Sequence, residues 1–314
     1  MKVVIDWLAS CGGCDVSILD LDVKILDVIK EFEIVYWPVA LDFKRKDLES
    51  LQDVDVAIVN GAVRTSEQEE ELKLIRDKAK VLIAYGSCAC FGGIPGLGNQ
   101  FSAEDILKRA YIETPSTTDG KIPQTVTKLN GIELTLPKFL DRVKPLDEVV
   151  EVDYYVPGCP PSRSTVEEMV DLLLKLKKGE KPEKKVLASD KSLCYECPRF
   201  KEFVRPPTVN RPHEVIADQE KCFLEQGIIC LGFVTRGGCG ARCIKANMPC
   251  RGCYGKIPTA IDFGTEAITA IAMAGTGEDY LPPMRITEAV DKIKDVIGLI
   301  YQFSLPKSKL GDLK

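Results

Sequence analysis

Along the first half of the chain, short apolar runs alternate with stretches of helical spacing. Val3–Trp7, Glu33–Val39, Val54–Val59, Lys80–Tyr85 and Val152–Val156 read as strands rich in β-branched residues. Between or after them, Val16–Phe32, Thr65–Lys78 and Ser164–Lys177 carry apolar positions at helical intervals. This alternation predicts an α/β fold, a parallel sheet with helices on both faces. The pattern changes at the charged run Lys175–Lys185, which holds Gly179 and Pro182 and reads as a solvated linker. It divides the chain into residues 1–180 and 181–314. Beyond it, strand signals fade and cysteine, glycine and proline dominate, so that segment is expected to fold around metals. Helical spacing returns in Thr265–Gly275 and Ile286–Tyr301.

Composition narrows the function classes. In 314 residues, 45% are hydrophobic and 28% charged, as in ordinary globular proteins. A net charge of −5 argues against nucleic-acid binding, which wants a basic face. No apolar run reaches the ~18–20 residues that would cross a membrane, and Met1–Asp6 lacks the apolar core of an export signal. A cytoplasmic location follows as the expectation. There the 13 cysteines stay reduced, and their odd number already fits a disulfide framework poorly. With a single histidine, His213, the donor set favours soft-metal sites, iron–sulfur clusters before zinc.

The cysteines fall into quartets. Cys239, Cys243, Cys250 and Cys253 lie within fifteen residues, among Gly240, Pro249 and Gly252 that permit tight turns. Cys194, Cys197, Cys222 and Cys230 form a second set. Cys11, Cys14, one of Cys88 or Cys90, and Cys159 form a third, spread over 149 residues but each lying just after a strand. Ligands collect beyond the carboxyl ends of strands in open α/β sheets, so these distant residues are expected to converge. Prolines follow Cys159 and Cys197, as after ligating cysteines in ferredoxin-type sites. Zinc ribbons pair compact knuckles, which the third set does not imitate.

At Cys11-Gly-Gly-Cys14, Gly86-Ser-Cys-Ala-Cys-Phe-Gly-Gly93 and Pro157-Gly-Cys-Pro-Pro161 the chain resembles the small, electron-transferring subunit of [NiFe] hydrogenases. Cys194–Pro198 and Cys250-Arg-Gly-Cys253 extend the likeness over nearly the whole length, and Gly92–Gly98 is similar to the cytoplasmic archaeal branch. Within that branch, the viologen-reducing members that do not reduce the deazaflavin coenzyme are the best match. The resemblance implies a flavodoxin-like domain followed by a mostly irregular domain, and three [4Fe–4S] clusters. It implies a proximal cluster on Cys11, Cys14, Cys88 and Cys159, a medial one on Cys239, Cys243, Cys250 and Cys253, and a distal one on Cys194, Cys197, Cys222 and Cys230. Cys90 is then a spare thiol. Cys194 stands where many respiratory relatives carry histidine, and Cys243 supplies a thiolate where they carry proline; both departures lower the potential.

The implied function is relay of electrons from H2 oxidation, with no catalytic residue in this chain. The implied partners are a [NiFe] large subunit, a further iron–sulfur acceptor subunit and a heterodisulfide reductase, without nucleic acid or membrane. Two alternatives stand beside it. One is a subunit of another hydrogenase or complex-I-like assembly, deazaflavin-reducing or energy-converting. The other is a zinc-stabilised interaction scaffold. His213 reads as a loop residue, Gly86–Gly98 lacks the Gly-Lys-Ser/Thr of a phosphate loop, and Asp15 and Asp20 read as exposed acids at a helix start.

Overall fold

The computed structural model describes residues 1–202, 209–275 and 293–312. Its first half runs β1 (Lys2–Trp7), α1 (Gly13–Leu19), α2 (Ile25–Glu31), β2 (Glu33–Tyr36), α3 (Arg45–Ser50), β3 (Val54–Asn60) and β4 (Val63–Thr65). Then come α4 (Ser66–Lys78), β5 (Ala79–Tyr85), α5 (Gly86–Phe91), α6 (Ala103–Tyr111), β6 (Val126–Leu129) and β7 (Ile132–Thr135). This half closes with β8 (Phe139–Lys144), β9 (Tyr154–Val156) and α7 (Arg163–Lys177).

Five strands form a wholly parallel sheet in the order β2-β1-β3-β5-β9. Counting only these five in chain order gives 2-1-3-4-5, the flavodoxin-like arrangement. Alternate residues feed opposite faces. Val3, Ile5, Val56, Ile58 and Ile83 pack with Ile18 of α1 and Val166 and Met169 of α7. Val4, Ala57, Val59, Leu82 and Ala84 pack with Leu48 of α3 and Leu72 and Ile75 of α4. Burial on both faces explains why the strands read as unbroken apolar runs.

Several expectations shift by a few residues. The stretch Val16–Phe32 is two helices rather than one, separated by a turn in which Asp22 takes the left-handed φ of 57°. The second strand stops at Tyr36, two residues before Pro38, which has no N–H to donate. Thr65 caps α4 instead of joining it, accepting from Gln68 N at 3.3 Å. The β6–β7 hairpin and the antiparallel β4–β8 pair were not anticipated.

The charged run begins in the last turn of α7 and is mostly exposed, as expected of a solvated segment, and its end meets the sheet. Tyr155 N donates to Lys185 O and Leu187 N to Tyr155 O, both at 2.8 Å, which adds a short segment beside β9. After it, the described residues contain α8 (Arg242–Lys245), α9 (Phe263–Gly275) and α10 (Val296–Ile300), isolated bridges, and no named strand. Of the helix expected at Ile286–Tyr301, residues 286–292 lie outside the described residues, and the remainder is helical only over Val296–Ile300. Two apolar groups hold this half: Leu231, Phe263, Ala267 and Tyr301 in one, Leu193, Phe223, Ile228 and Ile244 in the other. Among the described residues, no helix is long and apolar enough to cross a membrane.

Candidate electron-transfer centres

Three of the five parallel strands deliver cysteines to the carboxyl edge of the sheet. β1 runs into the loop and first turn of α1 that carry Cys11 and Cys14; β5 runs into α5 with Cys88; β9 leads to Cys159, whose bond to Pro160 is cis. Every pair among these four thiols is close enough to repel when ionised. Burial, and then Cys159 and Cys11, push the Cys88 thiol up to about 12, while the Ile94 N–H pulls it back. Two glycines make the approach possible. A Cβ on Gly86 would lie 2.3 Å from Cys14 Sγ and one on Gly93 2.5 Å from Cys88 Sγ, and both residues have positive φ. Cys90 turns away into the opposite core, where its thiol donates to Ala84 O at 3.4 Å.

The other eight cysteines form two further groups. Cys194, Cys197, Cys222 and Cys230 interact in every pairwise combination. Burial raises Cys194 to about 11, with Cys230 as the largest electrostatic contributor. Backbone N–H groups point at the sulfurs: Leu224 and Glu225 at Cys222, Gly232 and Cys250 at Cys230. In the remaining group, Cys253 faces Cys250, Cys239 and Cys243, and Cys239 accepts from the N–H of Ala241 and Arg242. Burial and then Cys230 raise Cys250 to about 12, and its thiol lies 3.6 Å from Thr235 Oγ1.

Contacts join the groups in series. Cys159 bears on Cys253, and Ser87 Oγ, next to Cys88, donates to Cys253 O at 2.6 Å. Cys250 N donates to Cys230 Sγ at 3.3 Å. The group of Cys239–Cys253 therefore stands between the other two.

Known proteins match this chain over its length. The family model for the NADH ubiquinone oxidoreductase 20 Kd subunit matches residues 11–173. The iron–sulfur subunit of the F420-non-reducing hydrogenase of Archaeoglobus profundus is 41% identical over 99% of this chain and 98% of its own. A subunit of the F420-non-reducing hydrogenase vhu of Methanocaldococcus jannaschii is 40% identical over 99% of this chain and 97% of its own. The chain belongs to the [NiFe]-hydrogenase small-subunit family. A chain of the actinobacterial-type NiFe-hydrogenase from Ralstonia eutropha H16 shares the fold, with a TM-score of 0.50 at 17% identity over 94% of this small subunit and 91% of that chain.

The donor set of the small subunit suits iron–sulfur clusters better than single ions. Among the described residues, no three Cys, His, Asp or Glu side chains converge on a point where one metal ion could sit. A zinc ion draws its donors to about 2.3 Å of one centre, whereas each thiolate of a cubane binds a different iron, so the sulfurs stay apart. The N–H groups aimed at sulfur are the hydrogen bonds that stabilise a ligating thiolate. His213 is exposed on a loop.

Several residues around the sites were not legible in the sequence. Asp15 is buried rather than exposed, and it accepts from Trp37 Nε1 at 2.9 Å and Asn60 Nδ2 at 3.0 Å; Asp20 is exposed as expected. These bonds tie the first turn of α1 to the ends of β2 and β3. Ser17 Oγ donates to Cys14 O at 2.7 Å and lies 2.6 Å from the Tyr85 hydroxyl. Tyr254, next to Cys253, reaches Thr165 Oγ1 at 2.8 Å and accepts from Ser162 N at 3.1 Å, so it pins the cysteine-rich half to the start of α7.

Proposed function

We propose that this small subunit holds three [4Fe–4S] clusters and conducts electrons between the nickel–iron site of a large subunit and a low-potential acceptor. Cys11, Cys14, Cys88 and Cys159 hold the proximal cluster, nearest the large subunit. Cys239, Cys243, Cys250 and Cys253 hold the medial one, and Cys194, Cys197, Cys222 and Cys230 the distal one. The chain then divides into residues 1–180, which hold the first cluster, and 181–314, which hold the other two. The observation that carries this reading is the serial contact of three all-cysteine groups, through Cys159 and Cys253 and then Cys250 and Cys230.

When bound, the clusters supply one-electron redox chemistry. The protein's residues hold them in a row, exclude water, and aim N–H groups at the sulfurs. Heterolysis of H2 belongs to the large subunit, so this chain alone has no hydrogenase activity. Two relatives are F420-non-reducing enzymes, and all-thiolate ligation keeps potentials low compared with mixed His/Cys ligation. Both favour a further iron–sulfur subunit as acceptor, with a heterodisulfide reductase beyond it.

The test is metal analysis of the anaerobically purified complex. The reading expects about twelve iron and twelve sulfide per chain, with about one nickel from the large subunit. Two to three zinc per chain without sulfide, roughly the loading of closed structural sites, would replace it with a structural scaffold. A redox titration that puts the medial cluster well above the hydrogen couple would remove the low-potential acceptor.

A further inference from the structure

One half-buried charge has no carboxylate within ion-pair distance among the described residues. Arg251 lies between Cys250 and Cys253, its Nη1 is shut off from solvent without a hydrogen-bond partner, and no acid pairs with it among the described residues. Arg211, of like sign, bears on it unfavourably. A guanidinium does not shed its proton, and enclosing its Nη1 away from water without a partner costs solvation. Such a group needs an anion.

The thiols that bear on the guanidinium are Cys230 and Cys250. They belong to different quartets, and they meet where Cys250 N donates to Cys230 Sγ at 3.3 Å. Four thiolates outweigh the positive core of a cubane, so a bound cluster is an anion when oxidised and more strongly so when reduced. The cation thus stands where the medial and distal sites come closest.

We propose that Arg251 is a positioning residue for electron flow, a counter-charge shared by the medial and distal clusters that raises both potentials together. The inference rests on the three-cluster reading. A cation beside both sites stabilises an added electron on either, so it lifts the pair without tilting the step between them. The proximal quartet meets this group through Cys253 instead, and it is largely insulated from the effect.

The experiment uses the assembled hydrogenase complex with Arg251→Gln, Arg251→Lys and Arg251→His, purified anaerobically. Iron and sulfide are measured first, then the potentials by EPR-monitored redox titration. Arg251→Gln is expected to keep its iron and to lower two midpoint potentials by comparable amounts, each by about a tenfold change in the one-electron equilibrium (about 59 mV). The third potential stays, and Arg251→Lys restores most of the loss. If Arg251→Gln does not load, Arg251→His carries the test: both potentials should fall, relative to wild type, as pH rises through the imidazole range near ~6.5. Unchanged potentials, a fall confined to one cluster, or no added pH dependence in the histidine variant would overturn the proposal. Loss of iron from all three variants would overturn it too, since the arginine would then be structural. About eight iron or fewer per wild-type chain would instead sink the three-cluster reading itself.

Discussion

Replacing Gly86 by alanine probes the proximal site where backbone and sulfur come closest. Gly86 opens α5 with a φ of +86°, and an added methyl would stand 2.3 Å from Cys14 Sγ and 3.6 Å from Gly158 O. The left-handed backbone alone costs a non-glycine residue about 1–2 kcal/mol. The clash costs more. Non-bonded carbon contacts begin near 3.5 Å, so the sulfur has to retreat by roughly 1.2 Å or more. Metal–ligand distances tolerate only about 0.2 Å. The backbone cannot yield instead, because Ser87 N is bonded to Gly158 O at 2.7 Å and the Cys14 carbonyl is held by Ser17. The thiolate is therefore lost as a ligand. Iron in the Gly86→Ala complex should fall from about twelve to about eight per chain, with the proximal EPR signal missing. Gly131→Ala is the control: its φ is +80° but nothing lies within 4 Å of the added methyl. It carries the same backbone strain and should keep all its iron. Full iron and an unaltered proximal signal in Gly86→Ala would refute the reasoning.

Other changes test other parts of the fold. Cys90→Ser should leave iron and sulfide unchanged, since a hydroxyl can still donate to Ala84 O; a missing proximal cluster would move the ligand role from Cys88 to Cys90. Tyr254→Phe strands the Ser162 N–H in a buried site, while the Thr165 hydroxyl keeps the Ser162 hydroxyl at 2.9 Å. It should lower stability by about 1–3 kcal/mol in urea unfolding, and an unchanged midpoint would show that the tyrosine does not join the halves. Burial alone would raise the pKa of Asp262, but hydrogen bonds from Tyr301, Thr265 and Lys309 outweigh it and leave the carboxyl below its ordinary value. A depressed folded pKa gives stability that is present above the unfolded value near ~3.9 and lost as pH falls through the folded one. The stability gap between wild type and Asp262→Asn should be full at neutral pH and shrink in acid; a gap independent of pH would contradict this.

The sheet was legible because its strands are buried on both faces, so Val54–Asn60 and Ala79–Tyr85 stand out as apolar runs bounded by polar residues. The break at Asp22 was not, because apolar spacing continues through it. The β6–β7 hairpin escaped for the opposite reason. Its turn, Asn130-Gly131, has both residues at positive φ, the usual preference of a two-residue hairpin turn. Its strands are exposed throughout, though, and carry no burial pattern. Cysteine spacing proposed the quartets but left Cys88 against Cys90 open. Residues two apart on a helix point about 200° away from each other, so only the seating of α5 against β5 puts Cys88 with the other thiols and Cys90 in the opposite core. Asp15, Trp37 and Asn60 come from three elements, and no local pattern links them.

The two halves of the molecule stand on different physical supports. Residues 1–177 have a two-sided apolar core around a hydrogen-bonded sheet. From Leu193 to Asp262 the described chain has one α-helix, of four residues, and two three-residue 3-10 turns, and its apolar group includes Cys230 and Cys250 themselves. Burial holds those thiols in the protonated form at neutral pH, with Cys194 up to about 11 and Cys250 up to about 12. Yet the N–H groups aimed at Cys222, Cys230 and Cys239 are donors that favour a thiolate. On the three-cluster reading, a positive metal core would satisfy both conditions in a segment arranged for anionic sulfur in a place that penalises charge. Ligation supplies that core, deprotonates the thiols and turns the N–H contacts into charge-assisted bonds. That reading expects folding of the second half to depend on metal loading, while the sheet can form from its own apolar surface.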